Sequence, residues 1–195
     1  MPFKQFLVLI CLALPALGFG QTDFGSKLAR AAESLTEVHV VYNGAYFNIP
    51  YPNGDVPKPF GVCTDVVIRA YRTMGVDLQK LVHQDMKQHF SAYPQLWGLR
   101  QTDTNIDHRR VPNLRRFFER KGTSLAPSQS ASDYQPGDVV SWVLSNGLTH
   151  IGIVSHTRSS QSENYLMVHN IGAGQVMEDV LFSYQITGHY RYANP

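Results

Sequence analysis

The spacing of apolar residues changes once along this chain, and the change limits what it can fold into. Up to about residue 122 the apolar positions recur at helical intervals broken by Gly and Pro. After the Ser-rich stretch Ser128 to Ser132 they fall into short β-branched and aromatic runs separated by Gly, Asn or Ser. Helices followed by antiparallel strands predict an α+β domain. The helices are expected at 24–35, with Leu28, Ala31, Ala32 and Leu35 on one face; at 63–74, closed by Gly75; at 78–93, stopped by Pro94; and at 113–121, closed by Gly122. Residues 97–112 show no period and read as a long surface loop. Strands are expected at 139–144, 150–155, 165–169 and 189–192. Trp97 and Trp142 are read as core residues.

The first twenty residues hold Lys4, the apolar run Phe6 to Leu17, and Gly18-Phe19-Gly20, a small-x-small cleavage pattern. A secretory leader over 1–20, cut before Gln21, is therefore expected, followed by one domain over 21–195. The apolar run is too short for a stable membrane anchor, and no later segment is long enough to span a bilayer. Leu9-Ile10 before Cys11 lacks the small residue of a lipoprotein site. A soluble exported monomer, periplasmic or secreted, is the expectation. Losing Lys4 takes the formal net charge from +2 to +1, which leaves no footprint for nucleic acid.

Cys63 is then the one cysteine left, so no internal disulfide is available. It stands where a turn-rich approach runs into the helix Cys63-Thr64-Asp65-Val66-Val67-Ile68. Unpaired N–H groups and the positive end of the helix dipole favour a thiolate there, and a free thiol of pKa ~8.5 needs such help to act near neutral pH. A small buried apolar residue is the simpler alternative. A nucleophilic thiol also needs a base. Of the eight histidines, His150 opens one expected strand and His169 closes the next, so a hairpin would set their rings side by side; His156 shares the face of His150 at the far end of its strand.

Cys63 at a helix start, Tyr134-Gln135-Pro136-Gly137-Asp138, His150-Ile151-Gly152-Ile153-Val154 and Met167-Val168-His169 resemble, in this order, the papain-like NlpC/P60 cell-wall peptidases. Gly61-Val62-Cys63-Thr64-Asp65, Asn105 to Asn113 and Ile186 to Arg191 more closely resemble a related bacterial domain-of-unknown-function family (1287). The resemblance implies a papain-like fold with Cys63 as nucleophile, His150 as base and His169 as the orienting residue, with Asn170 left open as the alternative third member. It also implies an oxyanion site from the Cys63 N–H and the Tyr51 hydroxyl, Tyr51 standing where the family often keeps a tyrosine. Two departures stand out: Val62-Cys63-Thr64-Asp65 replaces the usual Asp-Cys-Ser-Gly, and the stretch from Cys63 to His150 is longer.

The expected activity is hydrolysis of an amide in peptidoglycan stem peptides through a thioester. The alternatives are a lipid or protein acyl bond, or a binding module without turnover. Arg109 and Arg110 are candidate carboxylate binders or, equally, clamps on the loop. Asp65 is carried as a candidate beside its simpler role facing the helix dipole. No cofactor is expected, and a zinc site of Cys63, His150 and His169 is set aside because the chain has no short-spaced ligand pair.

Overall fold

In the computed structural model, residues 17–193 are described, with side chains from residue 23 onward. Helix α1 spans Leu17–Ser34. The expected leader boundary before Gln21 falls inside it, and residues 1–16 lie outside the described residues. The short strands β1 (Val41–Tyr42) and β2 (Phe60–Gly61) pair in parallel and lead into α2 (Cys63–Thr73). Helices α3 (Leu78–Gln88) and α4 (Val111–Lys121) follow, and then β3 (Thr123–Leu125), β4 (Val139–Val143), β5 (Thr149–Arg158), β6 (Tyr165–His169), β7 (Val176–Glu178) and β8 (Gln185–Arg191). The last six strands form one antiparallel sheet in the order β3-β8-β4-β5-β6-β7. The α+β reading therefore holds, with the small pair β1–β2 and the short edge strands β3 and β7 added, which have too few residues to show a period.

Helix ends follow local chemistry. Gly75 takes φ +77, and the Val76 and Gly75 N–H groups donate to the Tyr71 and Arg72 carbonyls, closing α2 in a left-handed turn that glycine adopts freely. Helix α3 is capped by Asp77, whose side chain accepts from the Lys80 N–H. It ends five residues before the expected Tyr93. A short 3-10 turn over Phe90–Ala92 folds Tyr93 back so that its hydroxyl donates to Asp85, and Pro94 holds Tyr93 extended. Helix α4 starts two residues earlier than expected because Pro112 sits in its first turn, where a missing N–H costs nothing.

The sheet has two working faces. Val139, Ile151, Ile153, Val168 and Tyr190 pack on Leu28 of α1, Val66, Val67 and Tyr71 of α2, and Phe117 and Phe118 of α4. Val140, Trp142, Val154 and Met167 point the other way, onto Tyr134 and Leu181. This is strand alternation with both faces covered. The Pro-Gly-Asp turn has a structural role: Gly137 (φ +89) lies against the Gly25 backbone, and Asp138 accepts from His189 Nε2 at 2.6 Å and Arg191 Nε at 2.7 Å, pinning the start of β4 to β8.

Candidate active site

Cys63 is the first residue of α2 and is almost fully buried. Burial pushes its thiol up to about 12, against the N–H groups of Ile151, Thr64 and Cys63 itself, which face the sulfur and favour the charge. The helix start therefore does not yield the resting thiolate that position alone predicted. Desolvation outweighs the dipole because Cys63 is only 6% exposed and belongs to the apolar core of the domain.

The Ile151 N–H that faces the sulfur belongs to the residue after His150. At that point β5 turns the imidazole onto the Trp142 face, where the two rings stack at 5.7 Å. His150 Nε2 lies 3.0 Å from His169 Nδ1, with the rings nearly perpendicular. The β5–β6 pairing thus joins the two histidines the sequence singled out. Gly152 makes room for them, since a Cβ there would meet the Val168 carbonyl oxygen at 2.9 Å and the His169 Cβ at 3.1 Å. Among the described residues, no hydrogen bond links the Cys63 sulfur to His150.

The sequence reading missed Glu178. Its Oε2 lies 3.1 Å from His169 Nε2, within ion-pair distance though without hydrogen-bond alignment, brought there by β7, where His169 pairs with Val176 and Met167 with Glu178. The three-residue strand β7 left no sequence signal. Burial, together with the nearby His169, lowers His150 to about 3; burial also lowers His169, while Glu178 works in the opposite direction. Both imidazoles are neutral near pH 7. The Glu178 charge favours the His169 proton on Nε2, so Nδ1 accepts from His150 Nε2–H and His150 Nδ1 keeps its lone pair. This tautomer is assigned from the hydrogen-bond network. Asn170 is used elsewhere: its Nδ2 donates to the Gly61 carbonyl, tying the end of β6 to the segment before Cys63.

The remaining candidates separate by geometry. Asp65 accepts the Val62 N–H at 2.8 Å and holds Arg109 in a two-bonded ion pair, each bond 3.0 Å, with the two side chains only 4% and 2% exposed. Arg109 also donates to the Ala45 and Asn43 carbonyls. Its fork is consumed, so the loop clamp stands and Arg109 as a carboxylate binder is corrected, as is any direct role for Asp65. Tyr51 is also displaced. It sits on an exposed turn with its ring against His83, while Tyr42 lines the cleft, its hydroxyl raised above the usual tyrosine range chiefly by burial. The β1–β2 pairing sets Tyr42 opposite Gly61, two residues before the thiol, and residues 43–59 loop out between them. Separation along the chain was a poor guide to distance across it.

The cleft holds about 210 Å³ and is lined by Cys63, Tyr42, Thr149, Trp97, Arg110, Val111 and Pro112 among others. Trp97 is 60% exposed on its rim, correcting the core assignment, whereas Trp142 is buried as expected. Among the described residues no group of three or more His, Cys, Asp or Glu is placed to hold a metal ion. No described helix is long and apolar enough to cross a membrane.

A sequence profile of the family described as "Domain of unknown function (DUF1287)" matches residues 29–192. The chain belongs to that family. The "Uncharacterized protein YijF" of Escherichia coli (strain K12) is 56% identical over 172 residues, covering 88% of this chain and 83% of that protein. Among solved structures, an N-acetylmuramoyl-L-alanine amidase from Bacteroides uniformis ATCC 8492 aligns with TM-score 0.51 at 13% identity, over 86% of this chain and 97% of that one. NlpC1 from Trichomonas vaginalis aligns with TM-score 0.46 at 14% identity, over 86% of this chain. This chain spans 44% of NlpC1 and 47% of NlpC2 from the same organism, less than half of either. This DUF1287 protein thus shares its fold, a mixed helix-and-sheet domain with an antiparallel sheet, with the Bacteroides uniformis amidase.

Proposed function

We propose that the protein is an exported cysteine amidohydrolase that cuts an amide in peptidoglycan stem peptides, with Cys63 as nucleophile, His150 as base and His169 as the residue that orients it. The observation that supports this reading is the Ile151 N–H that faces the Cys63 sulfur, which brings the start of β5, where His150 stands against His169, beside the thiol. An amidase fold likeness supports it at the level of architecture.

In the mechanism the thiol proton passes to His150 Nδ1 as sulfur attacks the amide carbon, because a thiol raised to about 12 cannot supply a standing thiolate. The Cys63 N–H faces the developing oxyanion, with the neutral Tyr42 hydroxyl in the part expected of Tyr51. A donor of this kind contributes about 3 kcal/mol. The imidazolium returns its proton to the departing amine nitrogen as the C–N bond breaks. Water then loses a proton to His150 Nδ1 as it attacks the thioester carbon, and the imidazolium returns that proton to the departing sulfur as the C–S bond breaks, releasing the acid and restoring the thiol. Trp142, stacked on His150, screens the imidazole pair from water.

Digestion of purified peptidoglycan by residues 21–195 and by Cys63→Ala, with fragments identified by mass spectrometry, tests the proposal. New amide-cleavage fragments from the wild type alone are expected. Fragments of equal yield from Cys63→Ala, or none from either protein, would sink it.

A further inference from the structure

We propose that the Cys63 cleft recognises a free carboxylate on its peptide substrate through Arg110, whose guanidinium is covered by the Trp97 ring in the cleft wall. The inference rests on the amidase reading and narrows its substrate to peptides bearing an unamidated carboxylate at the cleft.

Two adjacent arginines line the cleft, and they differ in what they hold. Arg109 spends its donors on Asp65 and two carbonyls. Arg110 has no acidic or carbonyl partner among the described residues. Its guanidinium carbon stands 4.4 Å from the centroid of the Trp97 ring, and its Nη1 is buried without a hydrogen bond. Arginine does not shed its proton in proteins, so this is a fixed positive charge, partly desolvated, with donors unfilled. A partly buried cation kept without a counter-charge is costly unless a ligand completes it.

Trp97 adds a second, independent observation. It adopts φ +58, a left-handed conformation unusual for a bulky residue, and presents an indole that is 60% exposed. Strain of this kind persists where the surroundings hold the residue for a purpose. The indole covers the guanidinium carbon and no group among the described residues fills the fork, whose edge is where a carboxylate binds in plane with two parallel hydrogen bonds. The other lining residues include Val62, Ile106 and Pro112, and Arg109 is already paired, so Arg110 is the one cleft charge left for a peptide among the described residues.

The test is calorimetric titration of Cys63→Ala protein with a synthetic wall tetrapeptide and with the same peptide carrying carboxamides in place of its carboxylates. The acid should bind about ten- to a hundredfold more tightly, the range of a charge-assisted pair. In Cys63→Ala/Arg110→Gln the ratio should fall below about twofold. Arg110→Lys, which keeps the charge but not the fork, should give an intermediate ratio and guards against a folding defect. Equal affinity for acid and amide, no measurable binding of either, or a preference that survives Arg110→Gln would each overturn the subsite. Turnover by the Cys63-containing protein separates the two proposals. Discrimination in binding without cleavage of either peptide refutes the hydrolase reading alone, and cleavage of both at equal rates refutes the subsite alone.

Discussion

Replacing Asp65 by Asn should destabilise the domain by about 3–5 kcal/mol, because it leaves the Arg109 guanidinium buried without its counter-charge. Both side chains are nearly inaccessible, both carboxylate oxygens are bonded to Arg109, and one also accepts the Val62 N–H that starts α2. No rearrangement exposes the charge cheaply, since the guanidinium is also tied to the Ala45 and Asn43 carbonyls. For a domain of this size that cost lowers Tm by roughly 6–20 °C. Thermal unfolding followed by circular dichroism reads the shift. A double-mutant cycle with Arg109→Met isolates the pair: Asp65→Asn/Arg109→Met should lose clearly less than the sum of the single variants, with a coupling above about 1.5 kcal/mol. A drop under about 3 °C for Asp65→Asn, or an additive cycle, would refute the argument that this ion pair, rather than substrate, is what Arg109 serves.

Three further outcomes follow from the same geometry. With the Cys63 thiol held near 12, alkylation by iodoacetamide should accelerate about tenfold per pH unit from pH 7 to 10; a plateau reached below pH 8 would show a resting thiolate instead. Glu178→Gln should lower kcat on a cleaved peptide about tenfold or more with KM nearly unchanged, because the proton on His169 Nε2 loses its anchor; an unchanged kcat would remove Glu178 from the series. His108 and His150 are both held neutral, lowered to about 3 by burial, with Arg109 next in effect on His108 and His169 on His150. Below the usual histidine pKa of about 6.5 the unfolded chain binds those protons and the folded one does not. Stability should therefore fall as pH drops from about 6 to 4, by up to about 1.4 kcal/mol per pH unit for each histidine. Urea titrations that hold constant or gain stability over that range would contradict the assignment.

How much of the site could be read along the chain depended on the length of the elements carrying it. Cys63 opens an eleven-residue helix, and His150 and His169 sit at ends of strands whose alternation is plain. Tyr42 and Glu178 lie on strands of two and three residues, which have no period to read. Arg109 and Arg110 are neighbours of the same type, and nothing in their order tells the clamp from the free fork.

The sequence by itself determined the α+β class, the helix carrying the cysteine and the hairpin that pairs the imidazoles, because each follows from local periodicity, turn residues and strand alternation. Only the tertiary structure decided that the thiol is buried, that Tyr42 rather than Tyr51 lines the cleft, that Asp65 neutralises Arg109 and that Glu178 stands beside His169. Those outcomes depend on burial and on contacts between segments far apart in the chain, and desolvation and Coulomb energies are set by what surrounds a group rather than by its position in the sequence.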